Sequence, residues 1–382
     1  MRSNYKPIGD YIRKVENRNR DLKVTRLLGL SMTKEFRETT SNIVGTDMSV
    51  YKVMSKYQFA CDFMSPIRVN KLPVVLKLDD EPNLVSPAYP VFEIKDRNVL
   101  NPEYLMMWFR RPEFDRYATF KCDAAIRGGY EWKELCETLI PVPSITKQRE
   151  IVKEYNTVVN RIKLNQQLIQ KLEETAQAVY KRWFVDEADC KWEKFEIKSF
   201  GIVVTGKTPS SESPEDFGSE MPFITPGDFK NYNKFALGAE RNLSEIGYSK
   251  LNNKILPKGT VIVTCIGSDM GKVVVVFDDC ISNQQMNSIV VNESYYSDFL
   301  FYYLLSVAEE LKGIAMGGST MPMLSKSDFE KIEIIKPTDE ILKKFEKTMK
   351  PLNEMNILYS KGNQMLSELK DLLLSKLATI EN

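Results

Sequence analysis

The chain has 382 residues, 43% of them apolar, with 53 Lys+Arg against 52 Asp+Glu and no histidine. That length exceeds one core, so two domains of ordinary globular composition are expected. The missing histidine excludes His-based triads, most zinc sites and His-Glu-x-x-His peptidases, and the near-neutral charge excludes a strongly basic, non-specific nucleic-acid binder.

Residues 1–143 hold 23 Lys+Arg against 19 Asp+Glu, and residues 191–336 hold 15 against 19, so the first part is mildly basic and the second mildly acidic. Met1–Asp10 lacks an apolar stretch, so no secretory signal is expected. The longest apolar runs, Val261–Ile266 and Val273–Phe277, are too short to span a bilayer. Six scattered cysteines (Cys61, Cys122, Cys136, Cys190, Cys265, Cys280) without a Cys-x-x-Cys pair fit a reducing cytoplasm.

In chain order, Val74–Leu78 and Val91–Ile94 read as strands. A helix follows at about Pro102–Phe109, capped by Asn101, with Pro102 at its first position and Tyr104, Leu105 and Trp108 on its apolar face. Next come the pair Gly128 and Gly129, a short helix near Trp132–Glu137, and a strand Leu139–Val142 closed by Pro143. A long helix starts after Ser144 and runs to about Val185. The order then repeats. Pro209–Gly218 is loop, Val261–Ile266 and Val273–Phe277 are strands, and Ser297–Leu305 is a helix with Phe299, Leu300 and Tyr303 on its apolar face. Gly317 and Gly318, Ser325–Lys331, Ile332–Ile335 and Pro337 complete the second round. A period near 190 residues is that of a duplicated domain.

Each round ends in a helix with a 3.5-residue seam. The first carries Ile151, Tyr155, Val158, Ile162, Asn165, Ile169, Leu172, Ala176, Val179 and Trp183. The second carries Ile341, Phe345, Thr348, Leu352, Met355, Tyr359, Gly362, Leu366, Leu369 and Leu373, each 190 residues further on. A seam needs a partner helix, so the two are expected to pair with each other. Asn165 is either a satisfied surface residue or a register lock. Gly362 marks a kink or a close helix approach.

Three motifs carry less than they promise. Gly201–Thr208 satisfies the P-loop spacing, but its four intervening residues are β-branched and Pro209 follows at once, so it cannot form a phosphate cradle opening a helix. Asn101–Tyr104 resembles the Asn-Pro-Pro-Tyr loop of adenine methyltransferases without the second proline, and helix capping explains all four residues. Asp80, Glu93 and Lys95 have the spacing of a Mg²⁺-dependent nuclease core. A solvated strand face is the plainer reading of Glu93.

Four segments carry a family resemblance: Ile140-Pro-Val-Pro-Ser-Ile-Thr-Lys-Gln-Arg-Glu-Ile151, Leu172-Glu-Glu-Thr-Ala-Gln-Ala-Val-Tyr-Lys-Arg-Trp-Phe184, Gly206-Lys-Thr-Pro209 and Pro222-Phe-Ile-Thr-Pro-Gly-Asp-Phe229. With the duplicated layout, the chain resembles the specificity (S) subunit of type I restriction–modification systems over nearly its whole length. The resemblance implies an α+β fold with a pseudo-twofold repeat, two similar target-recognition domains joined by two long helices that form an antiparallel coiled coil. Its parts are target-recognition domain 1 (1–143), a central spacer helix (144–190), target-recognition domain 2 (191–336) and a C-terminal spacer helix (337–382). It implies a non-catalytic, cytoplasmic scaffold that reads a split site in double-stranded DNA, with no membrane contact. Two modification (methyltransferase) subunits and the restriction (translocase/nuclease) subunits would join it. S-adenosylmethionine, ATP and Mg²⁺ are expected on those partners, and no cofactor or metal on this chain. The rival readings are the Asp80/Glu93/Lys95 nuclease and a coiled-coil adaptor without DNA contact.

Loop position and side-chain chemistry select the candidate DNA-binding residues. They are Ser31, Thr33, Lys34, Arg37 and Arg127 in the first domain, and Lys207, Thr208, Thr225, Asp228, Lys230, Asn231, Asn283, Gln284 and Gln285 in the second. Arg and Lys suit phosphate or guanine, Asn and Gln suit adenine, and Asp accepts from cytosine.

Overall fold

The computed structural model describes residues 5–39, 45–123, 129–210, 212–267, 270–315 and 323–380. It divides into two compact units, one made of Met1–Ile162 with Leu366–Asn382, the other of Lys163–Met365. Each unit therefore takes in part of both long helices, whereas the segments read from sequence set the helices apart as spacers.

In the first unit, Tyr5–Pro7 pairs antiparallel with Leu139–Pro141, and the turn Ile8–Asp10 leads into an antiparallel sheet. Its strand order is Ile12–Val15, Val91–Ile94, Gln58–Cys61, Val74–Leu76. Helices Pro102–Arg110, Pro112–Asp123 and Trp132–Glu137 follow. The Asn101 side chain accepts from the Glu103 and Tyr104 N–H groups, satisfying two donors that a helix start leaves open. The helix then lays Tyr104, Leu105 and Phe109 into the core. Phe59 and Phe92 stack at 4.9 Å across the sheet, and Phe109 meets them edge-on at 6.0 and 6.3 Å. Each such buried ring contributes about 1.5–3 kcal/mol.

The second unit repeats the order of this strand pair, turn and four-stranded sheet. Glu193–Glu196 pairs with Glu333–Lys336, and the turn Ile197–Ser199 leads into a sheet ordered Gly201–Thr205, Met286–Val291, Val261–Thr264, Val273–Val276. Helices Tyr295–Ser306, Ala308–Ala315 and Lys326–Glu330 stand where the three helices of the first unit stood. The second unit adds a fifth strand, Phe235–Ala236, parallel to Val273–Val276. It also adds a four-stranded sheet of Phe217–Gly218, Asn242–Leu243, Met221–Ile224 and Ile281–Ser282. The glycine pair Gly317 and Gly318 lies outside the described residues.

The first long helix spans Ile145–Lys181 and the second Asp339–Lys376. Ser144 opens the first, its Oγ accepting from the Lys147 N–H at 3.3 Å. In the first unit Ile151, Val152 and Tyr155 share a core with Leu373, Leu374 and Leu377. In the second, Asn165 Nδ2 donates to Asn363 Oδ1 at 2.9 Å, Asn356 Nδ2 donates to Glu173 Oε1 at 3.2 Å, and the Tyr180 and Phe345 rings lie 6.3 Å apart. As the number rises along one helix it falls along the other, so the pair is antiparallel. The second helix runs unbroken past Pro351 and Gly362, and a Cβ at Gly362 would stand 3.8 Å from Asn165 Nδ2, a close helix approach.

On the first helix every seam residue is buried or half-buried. The second helix is turned relative to its apolar pattern. Phe345, Leu352, Tyr359 and Leu366 face inward, but Met355 and Leu369 are 39% and 42% exposed, and Thr348 is exposed too. The inner positions are instead Leu342, Met349, Asn356 and Asn363, each one residue later. Two of these four are polar because their partners are: Glu173 and Asn165 sit opposite, and a buried polar group without a partner costs about 1–3 kcal/mol.

Candidate nucleic-acid interface

Three strands of the second unit end at one place. Gly201–Thr205 leads into Gly206–Thr208, Met221–Ile224 into Thr225, and Ile281–Ser282 into Asn283–Gln285. Main-chain bonds tie these ends together: Gly206 N–H to the Met286 carbonyl at 3.2 Å, Lys207 N–H to the Ser282 carbonyl at 2.9 Å, and Asn283 N–H to the Ile224 carbonyl at 3.0 Å. The approach is close enough to require glycine, since a Cβ at Gly206 would stand 2.0 Å from the Asn283 carbonyl oxygen. Thr208 Oγ1 bonds Gln284 Oε1, and Asn283 Oδ1 accepts from the Gln285 N–H at 3.0 Å. Lys207 and Gln284 are exposed. The result is a firm polar edge with one cation and several amide groups, suited to phosphate and base-edge contact.

The other candidates of this unit divide. Thr225 and Asp228 form a capping box: Asp228 Oδ2 accepts from Thr225 N–H and Oγ1 at 2.7 Å each, and its Oδ1 accepts from Glu240 N–H at 2.7 Å. Asp228 is buried and fully engaged, so it shapes the loop and is not presented to a base. Lys230 and Asn231 are exposed and converge on Glu240, at 2.9 and 3.3 Å.

In the first unit, Ser31, Thr33 and Arg37 lie on the hairpin of Leu28–Leu30 and Phe36–Glu38, with Ser31 and Thr33 hydroxyls 2.7 Å apart at its tip. Lys34 does not join them. Its backbone turns to φ 63° and its side chain, 5% exposed, enters the domain, where Nζ donates to the Phe109 carbonyl and to Asp115 Oδ1 at 2.8 Å. The Phe109 carbonyl closes a helix and favours a cation, and Asp115 completes the pair. Burial lowers the Lys34 pKa against the pull of Asp115. Lys34 is therefore an anchor for the hairpin. Lys34→Met is expected to cost about 3–5 kcal/mol, because Asp115 loses its cation. A urea melt checks this, and unchanged stability with weakened DNA binding would return Lys34 to the contact surface. Arg127 lies outside the described residues.

The shared strand order points to loops that composition did not single out. Gly206–Thr208 follows the first strand of its sheet, and Ser282–Gln285 precedes the strand paired with it. The matching loops of the first unit are Glu16–Arg20, after Ile12–Val15, and Ser86–Pro90, before Val91–Ile94. These too are tied together: Lys52 Nζ donates to Glu16 Oε1 at 3.2 Å and to the Tyr89 carbonyl at 3.0 Å. Asn19 is buried and holds Val24 by both backbone groups, while Asn17, Arg18 and Arg20 are exposed. Arg18 and Arg20 alternate with asparagines in Asn17-Arg-Asn-Arg20, a signal visible in the sequence once the strand before it is known.

The nuclease constellation does not assemble. Glu93 sits in mid-sheet, opposite Arg13 and Gln58 in register, and bonds both. Asp80 pairs with Lys56 at 3.0 Å, and Lys95 donates to the Gly9 and Asp10 carbonyls. No cluster of three or more His, Cys, Asp or Glu suited to a metal occurs among the described residues. Of the P-loop match Gly201–Thr208, residues Gly201–Thr205 are a strand. Among the described residues no helix is long and apolar enough to cross a membrane.

Residues 190–368 match the family described as "Type I restriction modification DNA specificity domain". The chain is 27% identical over 372 residues to the type I restriction enzyme HindI specificity subunit of Haemophilus influenzae, covering 77% of this chain and 80% of that one. It is 30% identical over 181 residues to the type I restriction enzyme MjaIX specificity subunit of Methanocaldococcus jannaschii, covering 47% and 41%. The crystal structure of the type I restriction–modification S subunit from M. genitalium superposes with a TM-score of 0.59 at 13% identity, covering 99% of this chain and 96% of that one. That last likeness speaks to the fold.

Proposed function

We infer that this chain belongs to the specificity-subunit family of type I restriction–modification systems and reads a split DNA site, one half with each recognition domain. The observation that supports this reading best is the duplication: one strand order, drawn twice, each copy ending in a long helix that packs on the other. Two similar domains in one chain, each with its own long helix, suit a site of two halves. The second head offers Lys207, Thr208 and Asn283–Gln285 at its strand ends. The first offers Arg18 and Arg20, with Ser31, Thr33 and Arg37 on the neighbouring hairpin.

The chain supplies recognition and assembly. Two modification subunits bring S-adenosylmethionine and the adenine-methylating site, and restriction subunits bring the ATP- and Mg²⁺-dependent translocation and cleavage. Double-stranded DNA in the cytoplasm is the substrate of the whole. Neither a carboxylate nuclease nor a P-loop finds support in the placement of the residues that would form it.

The purified chain alone is expected to transfer no methyl group from labelled S-adenosylmethionine and to leave DNA uncut with Mg²⁺. Addition of the modification subunits should switch on methylation at split sites only. Robust transfer or cleavage by the lone, contaminant-free chain would overturn the reading.

A further inference from the structure

The second recognition domain is fastened to the helix pair by a buried ionic and amide cluster. Its centre is Lys234, whose side chain is 1% exposed. Nζ donates to Asp298 Oδ1, to Asn353 Oδ1 at 2.8 Å and to the Tyr302 hydroxyl at 3.4 Å. It lies 4.6 Å from the Tyr302 ring centre and 5.1 Å from that of Phe301. Asn353, on the second long helix, returns its Nδ2 to both Asp298 oxygens at 3.0 Å. The Lys234 N–H donates at 3.1 Å to Glu173 on the first long helix, and Asn356 of the second donates to the same Glu173 oxygen. Burial holds the Glu173 carboxyl above its usual range and lowers the Lys234 pKa.

The fastening continues along the helix. Asn233 Nδ2 reaches Ser360 Oγ at 3.4 Å, and Gln364 Nε2 donates to the Leu237 carbonyl at 2.9 Å. Residues 233–237 therefore meet the second helix from Asn353 to Gln364, about three turns. They surround Phe235–Ala236, the fifth strand, which the sheet of the first unit lacks. An apolar contact would let the domain slide or rotate at small cost. Hydrogen bonds and a buried ion pair fix one geometry, because any other leaves a charge or an amide unpartnered.

We propose that Lys234, Asp298 and Asn353 are positioning residues that set the angle of the second recognition domain on the helix pair, and so determine how strictly the spacer between half-sites is measured. The proposal rests on the split-site reading.

The test uses the complex with modification subunits and a panel of DNAs with constant half-sites and a spacer varied by single base pairs. The variant K234M/D298L/N353L replaces the whole cluster by apolar side chains of similar size, which often restores stability. Its thermal melt should stay near that of the natural chain and the methylated half-sites should be unchanged. Its preference for the natural spacer over spacers one base pair longer or shorter should fall at least tenfold. A folded variant with unchanged spacer preference would show that the cluster only stabilises, and overturns the proposal. Should that variant fail to fold, N233A/Q364A, which leaves the ion pair intact, should loosen spacer preference several-fold, and an unchanged profile again overturns it. A natural complex with no spacer preference at all would refute the split-site reading itself, and with it the proposal.

Discussion

Four residues inserted into both long helices, after Lys163 and after Gln364, should lengthen the preferred spacer by one to two base pairs. Four helical residues add about 6 Å and a net rotation of only about 40°, against about 3.4 Å per base pair of B-DNA. The core of Ile151, Val152 and Tyr155 with Leu373, Leu374 and Leu377 stays on one side of both insertions, and the Asn165–Asn363 and Glu173–Asn356 bonds stay on the other. Inserting four residues in the first helix alone should fail. The helices pair in both units, so one lengthened strand of the stem must loop out or pull one set of contacts out of register. A two-residue insertion in the first helix turns its later half by about 200° and exposes Ile169 and Ala176, which are 2% exposed in the native chain. Burial of Ile169 alone contributes about 1.5–3 kcal/mol, and the rest of the seam is turned out with it, so several kcal/mol and the assembly are lost. Spacer profiling by methylation checks all three. A matched four-residue variant that folds, assembles and methylates the unchanged site would show that the stem does not measure the gap.

Gly206→Ala should abolish reading of the second half-site, at least a hundredfold in affinity, while the first half-site is still read. The added Cβ would stand 2.0 Å from the Asn283 carbonyl oxygen and 2.3 Å from that of Ser282. Both obstacles are backbone, so relief requires the Gly206–Thr208 and Ser282–Gln285 loops to part. Parting them breaks the Gly206–Met286 and Lys207–Ser282 main-chain bonds. Lost bonds and overpacking together cost about 2–4 kcal/mol. Competition binding with DNAs altered in one half-site separates the two heads. Equal loss at both halves would mean that the substitution unfolds more than this edge.

The long helices, the capped helix at Pro102 and the duplication were legible because each rests on periodicity or on a local capping rule. Strands such as Gln58–Cys61 and Ile12–Val15 were not. The first has no β-branched residue, and the second, Ile-Arg-Lys-Val, sets two basic residues side by side and does not alternate. The inward turn of Asn356 and Asn363 was hidden because a seam read from apolar residues alone favours Met355, and only the partners Glu173 and Asn165 reveal the polar face. Lys34 and Asp228 looked like loop side chains free to meet DNA. Lys34 is drawn inward by a carboxylate 81 residues away, a pairing that only the tertiary fold creates. Asp228 obeys a local rule: Thr225-Pro-Gly-Asp228 is a capping box within four residues, and it was legible from the start. The edge at Gly206–Thr208 and Asn283–Gln285 was half visible, as polar residues. Its assembly into one place depended on sheet order, which also exposes Glu16–Arg20 as its counterpart.

Methylation sequencing of the genome in cells that carry the modification subunits, with and without this chain, decides whether the chain specifies a split site. The predicted result is one split motif, methylated on adenine in both halves across a spacer of constant length, present only when the chain is expressed. An unchanged methylation pattern, or a continuous motif without a spacer, would mean that the chain does not read two separated half-sites.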